Sequence, residues 1–151
     1  MEHERFNIRV YGILERDGNV LISHERIADN VYAKFPGGGL EFGEGTIAAV
    51  TREFMEELGI AIQVDNHFYT TDFYLPSAFN PLDQILSIYY RVSVPTDVEL
   101  PFYLPSPSAN DVMAAGQLFR WYPIAVLCDT LVTLPADRVV IAMLKSASQS
   151  R

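Results

Sequence analysis

The chain has 151 residues, 49% of them apolar, and a formal net charge of −8. That length predicts one globular domain, residues 1–151, with room for a core that needs no disulfide or zinc. The acidic balance and the scattered Lys and Arg argue against long nucleic acid as a partner, and leave small phosphorylated ligands whose charge is met by metal ions.

No apolar run reaches the roughly 18 residues of a membrane span, so no membrane partner is expected. The charged start, Met1 to Arg5, is unlike a secretory signal. Cys128 is the single cysteine. It excludes an internal disulfide and makes a cytoplasmic location the default expectation. Its apolar neighbours predict a buried packing residue.

Phe6 to Leu14 reads as a strand, Asp17-Gly18-Asn19 as a turn, and Val20-Leu21-Ile22 as the start of a partner strand. Residues 27–35 read as an irregular connection to Gly37-Gly38-Gly39, a loop whose backbone is free to approach something closely. Residues 46–58 switch to helical spacing, with Ile47, Val50, Phe54 and Leu58 on one apolar stripe. Thr46 is the expected N-cap and Gly59 the left-handed residue that ends the helix.

Strands return at Ile62 to Val64, His67 to Leu75 and Gln84 to Val94, rich in aromatic and β-branched residues. Residues 95–111 hold Pro95, Pro101, Pro105 and Pro107 and read as a loop or ordered insertion. Leu118 to Tyr122 reads as a last strand, Pro123 to Leu131 as a short helix, and Pro135 to Ser146 as a C-terminal helix with a frayed tail to Arg151. The fold class is α/β, a mixed sheet between helices.

The chemistry sits on the helix that ends at Gly59. Glu53, Glu56 and Glu57 fall within an arc of roughly 100° on one face. Like charges at these spacings cost about 0.2–0.5 kcal/mol per pair. The helix dipole disfavours anions in the last turn by about 0.3–1 kcal/mol each. A hard divalent cation reverses both penalties, because it takes carboxylate oxygens as ligands. The bland reading is a solvated acidic face. Two neighbours favour the cation: the glycine run upstream, and Glu44 with Arg52, whose ion pair would pin the loop to the helix.

Gly38, Glu44, Arg52, Glu53, Phe54, Glu56, Glu57, Gly59 and Ile60 resemble the Nudix box, G-x5-E-x7-R-E-U-x-E-E-x-G-U with U a bulky apolar residue. Every specified position is filled, Phe54 being the less usual choice. The order of elements also looks like a Nudix domain with no appended domain. The resemblance implies an α/β/α sandwich and hydrolysis of nucleoside diphosphate derivatives with Mg²⁺ or Mn²⁺. It implies Glu53, Glu56 and Glu57 as metal ligands, joined by the Gly38 carbonyl, with Glu44 and Arg52 as structural partners and Glu41 behind them. Gly37, Gly38, Gly39 and Arg26 would meet the substrate, with Arg5 and Lys34 further cations near the glycine run. The general base is open among Glu53, Asp83, Asp97, Glu99 and Asp111.

Selectivity lies outside the box. Pro76 resembles the pattern of ADP-ribose pyrophosphatases, without their longer N-terminal strand region. Tyr74 stands near, but not at, a position associated with diadenosine polyphosphate hydrolases. A nucleoside triphosphate is an equal alternative. Tyr32, Phe68, Tyr69, Phe73 and Tyr74 are either core or base-stacking residues. Phe73 to Gln84 reads as a substrate lid or a homodimer contact. The alternative to an enzyme is a Nudix-like nucleotide sensor that binds without cleaving; such domains typically lose box glutamates, and none is lost here.

Overall fold

The computed structural model describes residues 2–100 and 108–149. Among them the order is β1 (Arg5–Arg16), β2 (Asn19–Ile27), β3 (Asn30–Lys34), β4 (Gly37–Gly39), α1 (Thr46–Leu58), β5 (Gln63–Thr70), β6 (Asp83–Ser93), α2 (Ala109–Ala115), β7 (Gln117–Pro123) and α3 (Pro135–Gln149). The class is α/β with a mixed sheet, as expected. The chain forms two compact units, one of Met1–Ile13 and Gly37–Val94, the other of Leu14–Pro36 and Pro95–Arg151.

In the first unit β1 lies between β4 and β6, and β5 flanks β6. The helix α1 docks here because of one glycine. A Cβ on Gly12 would lie 2.4 Å from Phe54 Cε2, so only glycine on β1 lets that ring settle against the strand. Phe54 is fully buried, worth about 1.5–3 kcal/mol. The buried stripe of α1 is Ala49, Val50 and Phe54. Ile47, expected in it, is 56% exposed, and Leu58 is only half-buried. The ring seated over Gly12 sets the helix rotation and turns those two outward.

Three further expectations are corrected in this unit. The glycine run is not a loop but the strand β4, paired antiparallel with Arg9 to Tyr11. Glycine is a poor strand former in general, yet here it is required. Gly37 has φ 152°, and a Cβ there would lie 2.2 Å from the Val10 carbonyl oxygen. The N-cap of α1 is Gly45, with no side-chain bond. The Thr46 hydroxyl instead shares a 2.7 Å hydrogen bond with the Tyr90 hydroxyl. The strand expected from His67 to Leu75 stops at Thr70, where Thr71 turns its N–H and hydroxyl onto the Ser87 carbonyl. Beyond it Pro76 bridges back to Gln84, and the Ser77 N–H donates to the Asp83 carbonyl at 3.0 Å. Gly59 caps α1 in the left-handed conformation as expected, and its N–H donates to the Met55 carbonyl at 3.0 Å.

In the second unit β2 pairs antiparallel with both β3 and β7. Residues 27–35 are therefore not irregular. A turn at Ala28 and Asp29 reverses the chain into β3, whose Lys34 is 3% exposed and pairs with Glu25 at 3.1 Å. The stretch 95–111 contains the start of α2, capped by a reciprocal Ser108–Asp111 box. Pro101, Pro105 and Pro107 lie outside the described residues. In place of one short helix after Pro123 there are two 3₁₀ turns, Ile124–Val126 and Asp129–Leu131.

Cys128 between those turns is exposed, not buried. The turns carry Leu127 inward instead. The Thr130 hydroxyl, 3.0 Å away, holds the Cys128 thiol below its ordinary pKa. The helix α3 runs on to Gln149, so the expected fraying from Ser146 is absent up to there; residues 150 and 151 lie outside the described residues. Its buried Asp137 accepts from the Phe35 N–H at 3.3 Å. No helix among the described residues is long and apolar enough to cross a membrane.

Candidate active site

All nine box residues belong to the first unit. The strand β4, its pairing with β1 and the docking of α1 bring Gly38, Gly39 and the acidic face of the helix together. Arg52 is the hub. Its Nε donates to Glu44 Oε2 at 3.0 Å and its Nη2 to Glu44 Oε1 at 2.7 Å, a two-pronged pair that the planar guanidinium is shaped for. Nη2 also donates to the Gly39 carbonyl at 3.0 Å, tying the helix to β4. Nη1 reaches Glu53 Oε1 at 2.9 Å and Glu56 Oε2 at 3.2 Å. Glu41 stands 3.6 Å from the same nitrogen.

Glu44 further accepts from the Glu41 N–H at 2.9 Å, which closes the loop onto its own entrance. The Arg52 hydrogen bonds, then that backbone bond, hold the Glu44 carboxyl at a pKa of about 2. Arg52 is raised in turn, chiefly by Glu44. The pair stays ionised throughout the physiological range.

Glu53 is held from the other side by glycine. A Cβ on Gly38 would lie 2.5 Å from the Glu53 carboxyl carbon and from its Oε1. The side chain is 13% exposed, against 58% for Glu56. Glu57 is half-buried on the same helix.

The arrangement suits a hard divalent cation in its donor set and its charge. Four carboxylates surround one guanidinium, which leaves a local excess of negative charge, and the Gly38 cradle fixes one of them. Among the described residues no three or more His, Cys, Asp or Glu side chains are grouped so as to hold a metal ion as a protein cage. Mg²⁺ seldom needs one, because it keeps water and borrows phosphate oxygens from its substrate.

Other expected residues have partners of their own. Arg26, exposed in the second unit, donates from Nη1 to the Met113 carbonyl at 3.2 Å. Lys34 is a buried ion-pair partner in that unit rather than a surface cation. Of the carboxylates considered as general base, Asp111 is occupied in the α2 capping box and buried Asp83 holds Arg5 and Asn7. Local patterns give no sign of the Arg5–Asn7–Asp83 group, whose Asp83 lies 78 positions from Arg5 and 76 from Asn7.

The family model for the NUDIX domain matches residues 3–143. The chain belongs to the NUDIX family. It is a Nudix hydrolase, a class of enzyme that acts on small nucleotide substrates and generally uses divalent metal ions. A search of curated proteins found no match. Among solved structures, the E. coli ORF135 protein is similar at 21% identity and a TM-score of 0.68, over 97% of this chain and 94% of its own. A MutT NUDIX hydrolase from Burkholderia pseudomallei is similar at 21% identity and TM-score 0.66, over 92% and 98%. A NUDIX hydrolase from Nitrosomonas europaea gives 17% identity and TM-score 0.67, over 99% and 74%. At these identities the likeness concerns the fold.

Proposed function

We propose that this Nudix hydrolase cleaves a pyrophosphate linkage in a nucleoside diphosphate derivative by attack of water at phosphorus, using Mg²⁺ or Mn²⁺. The substrate is a nucleoside triphosphate or a nucleotide sugar such as ADP-ribose. Residues 1–151 are read as one domain, supported by the family match over 3–143. The observation that carries the reading is the Glu44–Arg52–Glu53 chain of hydrogen bonds seated on the Gly38 cradle.

In this reading Glu53, Glu56 and Glu57 hold the cation, with the Gly38 carbonyl beside them. When bound, the cation neutralises the phosphates as charge develops and acidifies a water. The remaining work belongs to the chain. Arg52 and Glu44 lock each other, so Glu53 meets the substrate in one orientation and little reorganisation is left for the reaction. The backbone of Gly37, Gly38 and Gly39 allows close approach of phosphate. Glu53 is assigned the proton of the attacking water. Asp97 and Glu99, which have no capping or buried role, are the alternatives for that step.

A panel of nucleoside triphosphates and nucleotide sugars with Mg²⁺ tests the proposal. At least one should be cleaved to a nucleoside monophosphate, and Glu56→Gln should lose at least about 100-fold in kcat with binding retained. A panel with no cleavage, and equal binding by both proteins, would leave a nucleotide-binding domain instead.

A further inference from the structure

Beside the box, in the same compact unit, lies a cavity of about 380 Å³. That is within the size range of small-ligand sites. It is formed where β1 begins, where β6 begins and where the chain leaves β4. Its polar side is a built group. Asp83 is 6% exposed and accepts from Arg5 Nε, and from Asn7 Nδ2 at 3.3 Å. A carboxylate accepts only, so the Asn7 amide must turn its nitrogen to Asp83 and its Oδ1 away. With Nε taken, the outer edge of the Arg5 guanidinium presents Nη1 and Nη2. Neither has a partner among the described residues, and the side chain is 60% exposed. The apolar side carries the exposed ring of Phe42, while Phe6, between Arg5 and Asn7 on β1, turns its ring to the opposite face of the strand.

An exposed phenylalanine beside a half-neutralised arginine fork calls for an occupant. Phosphate is a poor one. Asp83 cancels Arg5, and Glu41 on the rim adds a further negative charge. A neutral heteroaromatic ring fits both sides, because its faces stack on phenylalanine and its edge meets the fork. A guanidinium presenting two parallel N–H donors selects an edge with two adjacent acceptors. Asn7 Oδ1 next to the fork asks for a donor on the same edge. Guanine offers that order as N7, O6 and N1–H, and cytosine as O2, N3 and N4–H. Adenine and uracil offer no adjacent acceptor pair.

We infer that the Arg5–Asn7–Asp83 pocket beside Phe42 is the base-reading subsite, and that Arg5 sets a preference for guanine or cytosine. This rests on the proposed nucleotide hydrolysis and extends it to the substrate's base. Glu41 links the two places, since it lines the pocket and also pairs with Arg52 at 3.6 Å. Asp83 is a positioning residue that aims the fork.

Binding of the four nucleoside 5′-monophosphates tests this without any cleavage step. Guanosine or cytidine monophosphate should bind about 10–100-fold more tightly than the adenosine and uridine compounds, which is the range a bidentate base contact supports. Arg5→Ala should abolish that preference at some cost in Tm, because it leaves buried Asp83 without its ion-pair partner; Arg5→Lys, which keeps a cation on Asp83 but loses the fork, should abolish it with Tm retained. Phe42→Ala should weaken all four alike, by roughly 5–100-fold. Asp83→Asn should narrow the preference without weakening stacking. Equal affinity for the four bases, or a preference that survives Arg5→Ala, would overturn the inference. Base-selective binding with no hydrolysis would sink the proposed reaction and leave the pocket standing. Hydrolysis with no base preference would do the reverse.

Discussion

The three consecutive glycines of β4 invite one substitution each, and the geometry predicts three different results. A Cβ on Gly38 overlaps the Glu53 carboxylate at 2.5 Å, and the backbone has little freedom to retreat because Val10 pairs with it. The Glu53 side chain must yield. The overlap is with the far end of a flexible side chain that can swing aside, so the cost is about 1 kcal/mol, the low end for overpacking, and the Tm loss roughly 2–4 °C. Moving Glu53 by about 1 Å off its 2.9 Å bond to Arg52 should lower kcat about 100-fold. Gly37→Ala is worse for the fold. Its Cβ meets the Val10 carbonyl at 2.2 Å and its φ is 152°, so about 1–3 kcal/mol of backbone strain adds to the overlap. Gly39→Ala meets only Arg9 Nη1, at 3.7 Å, and should leave Tm within about 2 °C. Thermal melts of the three variants, with single-turnover rates for Gly38→Ala, give the comparison. If Gly38→Ala matches Gly39→Ala in Tm and keeps wild-type kcat, the cradle does not position Glu53.

Arg52→Lys should not rescue the hub, because an ammonium cannot supply the paired bonds to Glu44 or the bond to Gly39; kcat should fall about as far as in Arg52→Met, measured on the same substrate. Glu44 has its carboxyl lowered from about 4.5 to about 2, so the folded state binds fewer protons than the unfolded chain across that window. Its contribution is whole above pH 4.5 and lost as pH falls toward 2, and in Glu44→Gln the acid limb of a Tm–pH curve should flatten there. His24 is held below its ordinary 6.5, first by burial and then by Arg120. Stability should therefore fall as pH drops through about 6.5, and His24→Gln should remove that limb. Exposed Cys128, with its lowered thiol pKa, should react with a thiol reagent in the folded protein without loss of Tm.

The sequence carries the local features well and the distant ones poorly. The helix α1, its end at Gly59 and the acidic face follow from spacing within a dozen residues. Its N-cap does not, because the Thr46 hydroxyl is drawn to Tyr90, 44 positions away. Glycines 37 to 39 look like a loop to any local rule. They form a strand because of what lies across from them, the Val10 carbonyl and the Glu53 carboxylate. The strand β3 escapes a local reading, which makes residues 27–35 an irregular connection, because it is formed by pairing with β2, and its Lys34 looks like a surface cation until Glu25 is seen beside it. The helix α2 had a local signal, Ser108 followed three residues later by Asp111 and then Gly116, masked by the prolines before it. Cys128 sits among apolar residues, yet the two 3₁₀ turns rotate it outward. The Nudix box names the chemistry from one stretch of chain, whereas the Arg5–Asn7–Asp83 group is assembled only by the pairing of strand ends.

Metal dependence of cleavage by the intact chain is the most direct test of the central claim. With Mg²⁺ or Mn²⁺, at least one nucleoside diphosphate derivative should be hydrolysed, EDTA should abolish the reaction, and Glu53→Gln and Glu56→Gln should each lower kcat by about 10²-fold or more while remaining folded. Hydrolysis at full rate in EDTA, or undiminished in both glutamate variants, would contradict it.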